Sequence, residues 1–187
     1  MGKHQAETLR NIAVVGHHHC GKTALADLML HLAGKNTRVG SPDDGTSLLD
    51  TDDDEKERKH SISSALCHFD HNGQHLQIID TPGMPELVGH CISALRGVET
   101  AVVVINAHSG IEVNARKMFK QAENAGLAKF VVINKLDTDN IHFDQLINSL
   151  RETFGPACAL MNVPIGLGPD FKGLVDAVNL PAEIPAG

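Results

Sequence analysis

The 187-residue sequence contains no apolar run of membrane-spanning length. Its longest, such as Ala101 to Ile105 and Phe130 to Ile133, are strand-length, against the roughly 18 residues that suggest a spanning helix. The N-terminal stretch MGKHQAETLR has no apolar segment of signal-peptide type, and Ala6 stands where a myristoylation signal carries Ser or Thr. Both absences predict a cytoplasmic chain without a membrane partner. Paired cysteines are missing too: Cys20, Cys67, Cys91 and Cys158 form no C-x-x-C, which excludes a zinc ribbon or a disulfide framework and leaves reduced packing residues. Basic residues are in deficit, 16 Lys and Arg against 23 Asp and Glu, for a net charge of -7. Nucleic-acid binding is driven by Lys and Arg displacing counterions, so no direct sequence-specific nucleic-acid binding is expected of this domain. Histidine, by contrast, is abundant at 12 residues, so the net charge becomes less negative as pH falls through about 6.5.

What is present begins with Gly16-His17-His18-His19-Cys20-Gly21-Lys22-Thr23, which fits the phosphate-binding pattern G-x-x-x-x-G-K-[ST]. An apolar run, Ile12 to Val15, precedes it. A helical pattern with Leu25, Leu28, Met29 and Leu32 along one face follows, giving the strand, loop and helix the motif needs. Glycines let successive N–H groups curl inward, and the helix begins with its positive dipole end toward the anion. The stretch His19, Cys20, Gly21, Lys22, Thr23 and Ala24 would cradle phosphates. Lys22 would reach the β and γ phosphates, and Thr23 would offer its hydroxyl to Mg²⁺.

The remaining chain alternates short continuous apolar strands with amphipathic helices, which predicts a largely parallel sheet covered on both faces. Its 42% hydrophobic content and length suit a single α/β domain with a sizeable core, expected to be monomeric. Residues 34–61 lose all apolar periodicity and read as a mobile acidic loop, placed between phosphate loop and next strand where a nucleotide-sensing switch would sit. Ile62 to Phe69 and Leu76 to Ile79 read as an antiparallel edge pair turned by His71-Asn72-Gly73-Gln74. Helices are expected around Leu87 to Leu95, Val113 to Ala122 (closed by Gly126) and Phe143 to Leu150. Ala159 to Gly166 reads as a further strand of the sheet, and residues 180–187 as a trailing end.

Two later motifs select the nucleotide. Asp80-x-x-Gly83 ends a strand, where the aspartate would hold Mg²⁺ through water and the Gly83 N–H would bond the γ-phosphate. Asn134-Lys135-x-Asp137 offers a carboxylate that can accept from guanine N1–H and its exocyclic amine. Lys135 would lay its methylenes against the base, and Asn134 would tie this loop to the phosphate loop. The ligand is therefore expected to be GTP or GDP with Mg²⁺.

With RNIAVVGH, GKT, DGTSLLDTDDDEKER, IIDTPG, VINAHSGIEVNARK, VVINKLD and PIGLGPDFKGLVDAV in place, the chain resembles the G domain of translational GTPases, elongation factor G and its paralogues above all. The resemblance implies the P-loop NTPase three-layer sandwich, mostly parallel with one antiparallel edge hairpin strand. It also implies ribosome-coupled GTP hydrolysis in a full-length protein, a G-domain core over residues 1–156, and the start of the family's inserted subdomain from residue 157. Ser61 would be the second Mg²⁺ hydroxyl beside Thr23, with Asp80 behind water. The family's Ser-Ala guanine contact does not occur after Asp137, which predicts a fragment with weakened nucleotide binding.

The departures fall at the chemistry. Met84 occupies the position of the family's catalytic histidine, while His18 and His60 occupy an apolar gate beside it. Either His18 or His60 orients the attacking water, with Lys22 clamping phosphate, or the site binds GTP without efficient turnover and serves as a regulatory switch. A small-molecule kinase is the third alternative, but it leaves N-K-x-D unexplained.

Overall fold

A computed structural model describes residues 5–179. Its centre is a five-stranded sheet of order β2-β3-β1-β4-β5, built from β1 (Leu9–Gly16), β2 (Ala65–His71), β3 (Gln74–Asp80), β4 (Thr100–Asn106) and β5 (Ala128–Asn134). β3, β1, β4 and β5 run parallel, and β2 returns antiparallel on β3 through the Asn72-Gly73 turn. The expected α/β sandwich with one antiparallel edge strand is therefore the observed fold. Helix α1 (Lys22–Leu32) covers one face. Helices α3 (Val88–Leu95), α4 (Val113–Asn124) and α5 (Phe143–Phe154) cover the other. β1 from Ala13 to Gly16 and β4 from Ala101 to Ile105 are buried because apolar side chains face both layers, as parallel strands require. Register places Gly16 beside Val104, Asp80 beside Val14, and Asn134 beside Asn106. All three motifs thus leave the sheet at its carboxyl edge, where open α/β sheets take ligands.

Four expectations need correction. Helix α1 turns only half of the Leu25, Leu28, Met29 and Leu32 stripe inward: Leu25 and Met29 are half-buried against the core, but Leu28 is 40% and Leu32 77% exposed, while Thr23, Ala26, Asp27 and Leu30 are buried. The phosphate loop fixes Lys22 and Thr23 toward the sheet edge, and residues spaced three or four apart follow them round. The acidic segment 34–61 is not without structure, since it contains a short helix α2 (Asp53–Arg58) closed by a capping box between Asp52 and Glu55. The Glu55 carboxylate also accepts from the N–H groups of Ile62 and Ser63 at 2.9 and 3.0 Å. Those bonds hold Ile62 and Ser63 outside the sheet, so β2 starts at Ala65 rather than Ile62. Finally, the 159–166 stretch adds no strand to the main sheet. Its β6 (Asn162–Ile165) pairs antiparallel with β7 (Gly173–Asp176) in a separate hairpin, a local partner reached at far lower loop-closure cost than the edge of β5. The trailing residues 180–187 lie outside the described residues.

Candidate nucleotide site

The phosphate loop leaves β1 at Gly16 and enters α1 through Gly21. Gly21 has φ 92°, and a side chain there would strike the Asn134 amide, so glycine is required on two counts. His19 also adopts a left-handed backbone, φ 57°. Lys22 is only 6% exposed, and its Nζ donates to the His17 carbonyl at 2.7 Å, curled back across the loop it would serve. Cys20 is fully buried, and that burial pushes its thiol above the usual range, which makes it a packing group rather than a nucleophile. Ala24 is exposed on the first turn of α1.

Beneath the loop lies a compact oxygen cluster. Thr23 Oγ1 donates to Asp80 Oδ2 at 2.6 Å and lies 3.0 Å from Ser61 Oγ, and Ser61 Oγ donates to Asp50 Oδ1 at 2.6 Å. Asp80 is 1% and Asp50 2% exposed, and each keeps one buried oxygen, Oδ1 and Oδ2 respectively, without a hydrogen-bond partner. Burial raises the Asp80 carboxyl to about 7 against the pull of Thr23 and Lys22, with the Asp50 charge adding to the rise. Asp50 is raised chiefly by burial as well. Two hydroxyls and two orphaned carboxylate oxygens fit a hard, oxygen-seeking cation such as Mg²⁺. Among the described residues no group of three or more His, Cys, Asp or Glu side chains forms a self-contained metal cage. A cation here would therefore share its coordination with ligand oxygens, as phosphate-bound Mg²⁺ does.

The two gate histidines meet. His18 and His60 rings lie 5.2 Å apart, edge to face, and the His18 and His19 rings are 3.5 Å apart, tilted by 43°. Burial, then the electrostatic influence of His19, His60, Lys22 and His17, lower His18 to a pKa of about 4. His18 is accordingly a neutral acceptor at pH 7. His60 Nδ1 lies 2.9 Å from the Arg58 carbonyl; because a carbonyl only accepts, Nδ1 carries a proton and donates it there. Met84 follows Gly83 at the mouth of a short 3-10 turn, half-buried.

At the other end of the site, Asn134 Nδ2 donates to the Cys20 carbonyl at 3.0 Å and so joins the N-K-x-D loop to the phosphate loop. Lys135 sits in the left-handed region, φ 62°, and Asp137 is exposed. Thr138 Oγ1 closes the loop onto the Lys135 carbonyl at 2.8 Å, and the Gly168 N–H reaches back to the Leu136 carbonyl at 2.8 Å.

Four further residues join this network. Asp50 was hidden in an acidic run whose members look alike in sequence. Asp27 Oδ1 accepts from the Leu48 N–H at 3.0 Å, and the carboxylate leaves no room for a side chain at Gly40. Asn114 donates to the Gly83 carbonyl at 2.7 Å, and Glu112 Oε1 lies 3.4 Å from His17 Nε2. The spacing of Asn114 with Met118 and Ala122 was a usable signal, because a polar residue on the inward stripe of a helix needs a partner.

With this geometry in place, comparison with known proteins is informative. Residues 7–180 match the family described as "Elongation factor Tu GTP binding domain". The chain belongs to that family. Its members typically take GTP or GDP with Mg²⁺. Among curated relatives, elongation factor G of Dehalococcoides mccartyi is 29% identical over 95% of this chain and 26% of its own length. Peptide chain release factor 3 of Streptococcus mutans is 34% identical over 95% of this chain and 35% of its own. A crystal structure of a Thermus thermophilus protein superposes with a TM-score of 0.85 at 30% identity, over 90% of this chain and 25% of that one. The chain thus spans about a quarter to a third of the length of these relatives. Among the described residues no helix is long and apolar enough to cross a membrane.

Proposed function

We propose that this chain is the G domain of an elongation factor G-like protein, binding GTP or GDP with Mg²⁺ and, in a full-length protein, coupling hydrolysis to a step on the ribosome. The supporting observation is the convergence of Lys22, Thr23, Ser61, Asp50 and Asp80 beneath one loop that Asn134 ties to the base-reading motif. In this reading residues 1–156 are the G-domain core and residues 157–187 open the family's inserted subdomain. Lys22 releases the His17 carbonyl and turns its charge to the phosphates. Thr23 and Ser61 supply hydroxyls to Mg²⁺, which neutralises phosphate charge when bound, and Asp80 supports it through water. The N–H groups from His19 to Ala24 line the phosphates, Gly83 senses the γ-phosphate, and Asn134, Lys135 and Asp137 select guanine. The neutral imidazole of His18, with the His60 ring edge-on beside it, is the group placed to accept a hydrogen bond from an attacking water.

Met84 supports a second reading, a GTP-dependent switch that hydrolyses little, because a thioether does not accept or orient a proton as imidazole does. Single-turnover GTP hydrolysis separates the two. A fall of about tenfold or more in His18→Ala or His60→Ala assigns water orientation to that residue. Unchanged rates in both, with a gain in Met84→His, assign the switch.

A further inference from the structure

The start of α4 sends two side chains into the site, one from its N-cap Glu112 and one from Asn114 in its first turn, and neither belongs to a nucleotide-binding motif. Asn114 is 5% exposed, and its Nδ2 donates to the Gly83 carbonyl at 2.7 Å. Two residues earlier, Glu112 Oε1 stands 3.4 Å from His17 Nε2 on the phosphate loop. Gly83 itself is pressed against that loop: a side chain there would strike Lys22 Nζ and the backbone of His17 and His18. Gly83 therefore stands directly against the loop that would hold the phosphates, and the Asn114 amide fixes the peptide that follows it. That peptide also carries Met84. A buried amide is costly unless its hydrogen bonds are made, so this contact locks Gly83 rather than decorating it. We infer that Asn114 is a positioning residue that sets discrimination between nucleoside triphosphate and diphosphate by holding Gly83 against the phosphate loop, while Glu112 steadies the loop for both nucleotides. The inference rests on the GTP-binding reading above. Its physical basis is differential binding: only the triphosphate uses Gly83, so only the triphosphate loses affinity when Gly83 is released. Glu112 acts on His17 of the phosphate loop, and the loop N–H groups that line the phosphates serve both ligands.

The test measures dissociation constants of fluorescently labelled GDP and of a labelled non-hydrolysable GTP analogue, both with Mg²⁺, for the native protein, Asn114→Ala, Asn114→Asp and Glu112→Ala. The expected result for both Asn114 variants is an analogue affinity about five- to tenfold weaker, the effect of one lost buried hydrogen bond, with GDP affinity within about twofold of native. Glu112→Ala weakens both ligands by a similar factor. Asn114→Asp keeps the size of the side chain while removing the donor, so it separates loss of the hydrogen bond from loss of volume. Equal weakening of both ligands in the Asn114 variants, no change in either, or loss of native circular dichroism in both variants makes Asn114 a purely structural residue and overturns the assignment. Failure of the native protein to bind labelled GDP overturns instead the nucleotide reading on which it stands.

Discussion

At the phosphate end of the site Lys22, Thr23, Asp50 and Asp80 are all buried, and Thr23, Ser61, Asp50 and Asp80 are linked by hydrogen bonds of 2.6 to 3.0 Å. At the base end Asp137 is exposed, and β5, which carries the motif, is the least buried strand of the parallel set. The contrast follows from topology. Gly16 and Asp80 leave central strands flanked on both sides, whereas Asn134 leaves an edge strand with only β4 beside it. On the reading proposed above, preorganisation is therefore greatest where phosphate charge would be met and least where the base would be read. An ammonium held out of water before an anion arrives interacts with it more strongly than a solvated one does, while buried carboxylates need a cation between them and the phosphates.

The largest effect expected is at the phosphate end. Lys22→Ala should weaken GDP and any competing ADP alike by about a hundredfold, equivalent to about 3 kcal/mol for a charge-assisted contact to phosphate. Equilibrium titration with labelled nucleotide checks this, and a loss below about threefold would show that the ends are not built as differently as the burial implies. Asp137→Ala comes next. It should reduce GDP affinity by about 2 kcal/mol, the range of a hydrogen bond to a charged group, while leaving ADP almost unchanged, so preference shifts without general loss. Competition between GDP and ADP reads that ratio.

The smallest effect is the pH response of His18. Its folded pKa of about 4 lies below the ordinary histidine value of 6.5, so between those values the unfolded chain binds more protons. Stability from this group is present above about pH 6.5 and is lost as pH falls toward 4. An imidazole titration by NMR should place the His18 midpoint near 4, and the native protein should lose more thermal stability than His18→Ala between about pH 7 and 5. A midpoint near 6.5 would show that the site does not depress the His18 imidazole at all.

Strand, loop and motif order were legible because each rests on local chemistry: continuous apolar runs for buried strands, Asn-Gly for the hairpin, Gly-x-x-x-x-Gly-Lys-Thr for the anion loop. The facing of α1 was not, since Leu28 and Leu32 look apolar enough to be buried, and only the tertiary demand on Lys22 and Thr23 turns them outward. Nor was Asp50, because nothing local distinguishes a carboxylate that bonds Ser61 from Asp53 or Asp54 in solvent. Helix α2 was legible in principle through Asp52-x-x-Glu55, but a net reading of charge obscured it. The β6–β7 hairpin shows the same limit from the other side: a strand-forming sequence does not state which edge it will join.

The hydrogen bond from Asn134 to the Cys20 carbonyl spans 114 residues of sequence, and that separation has a kinetic meaning. Such a bond is made only after the chain between has been gathered, and distant pairings cost loop-closure entropy before they return any stabilisation. The phosphate loop therefore acquires its final shape only when β5 has docked beside β4. In a refolding experiment, the appearance of nucleotide affinity becomes a clock for the last stage of sheet assembly, and a ligand added early would find secondary structure but no cradle.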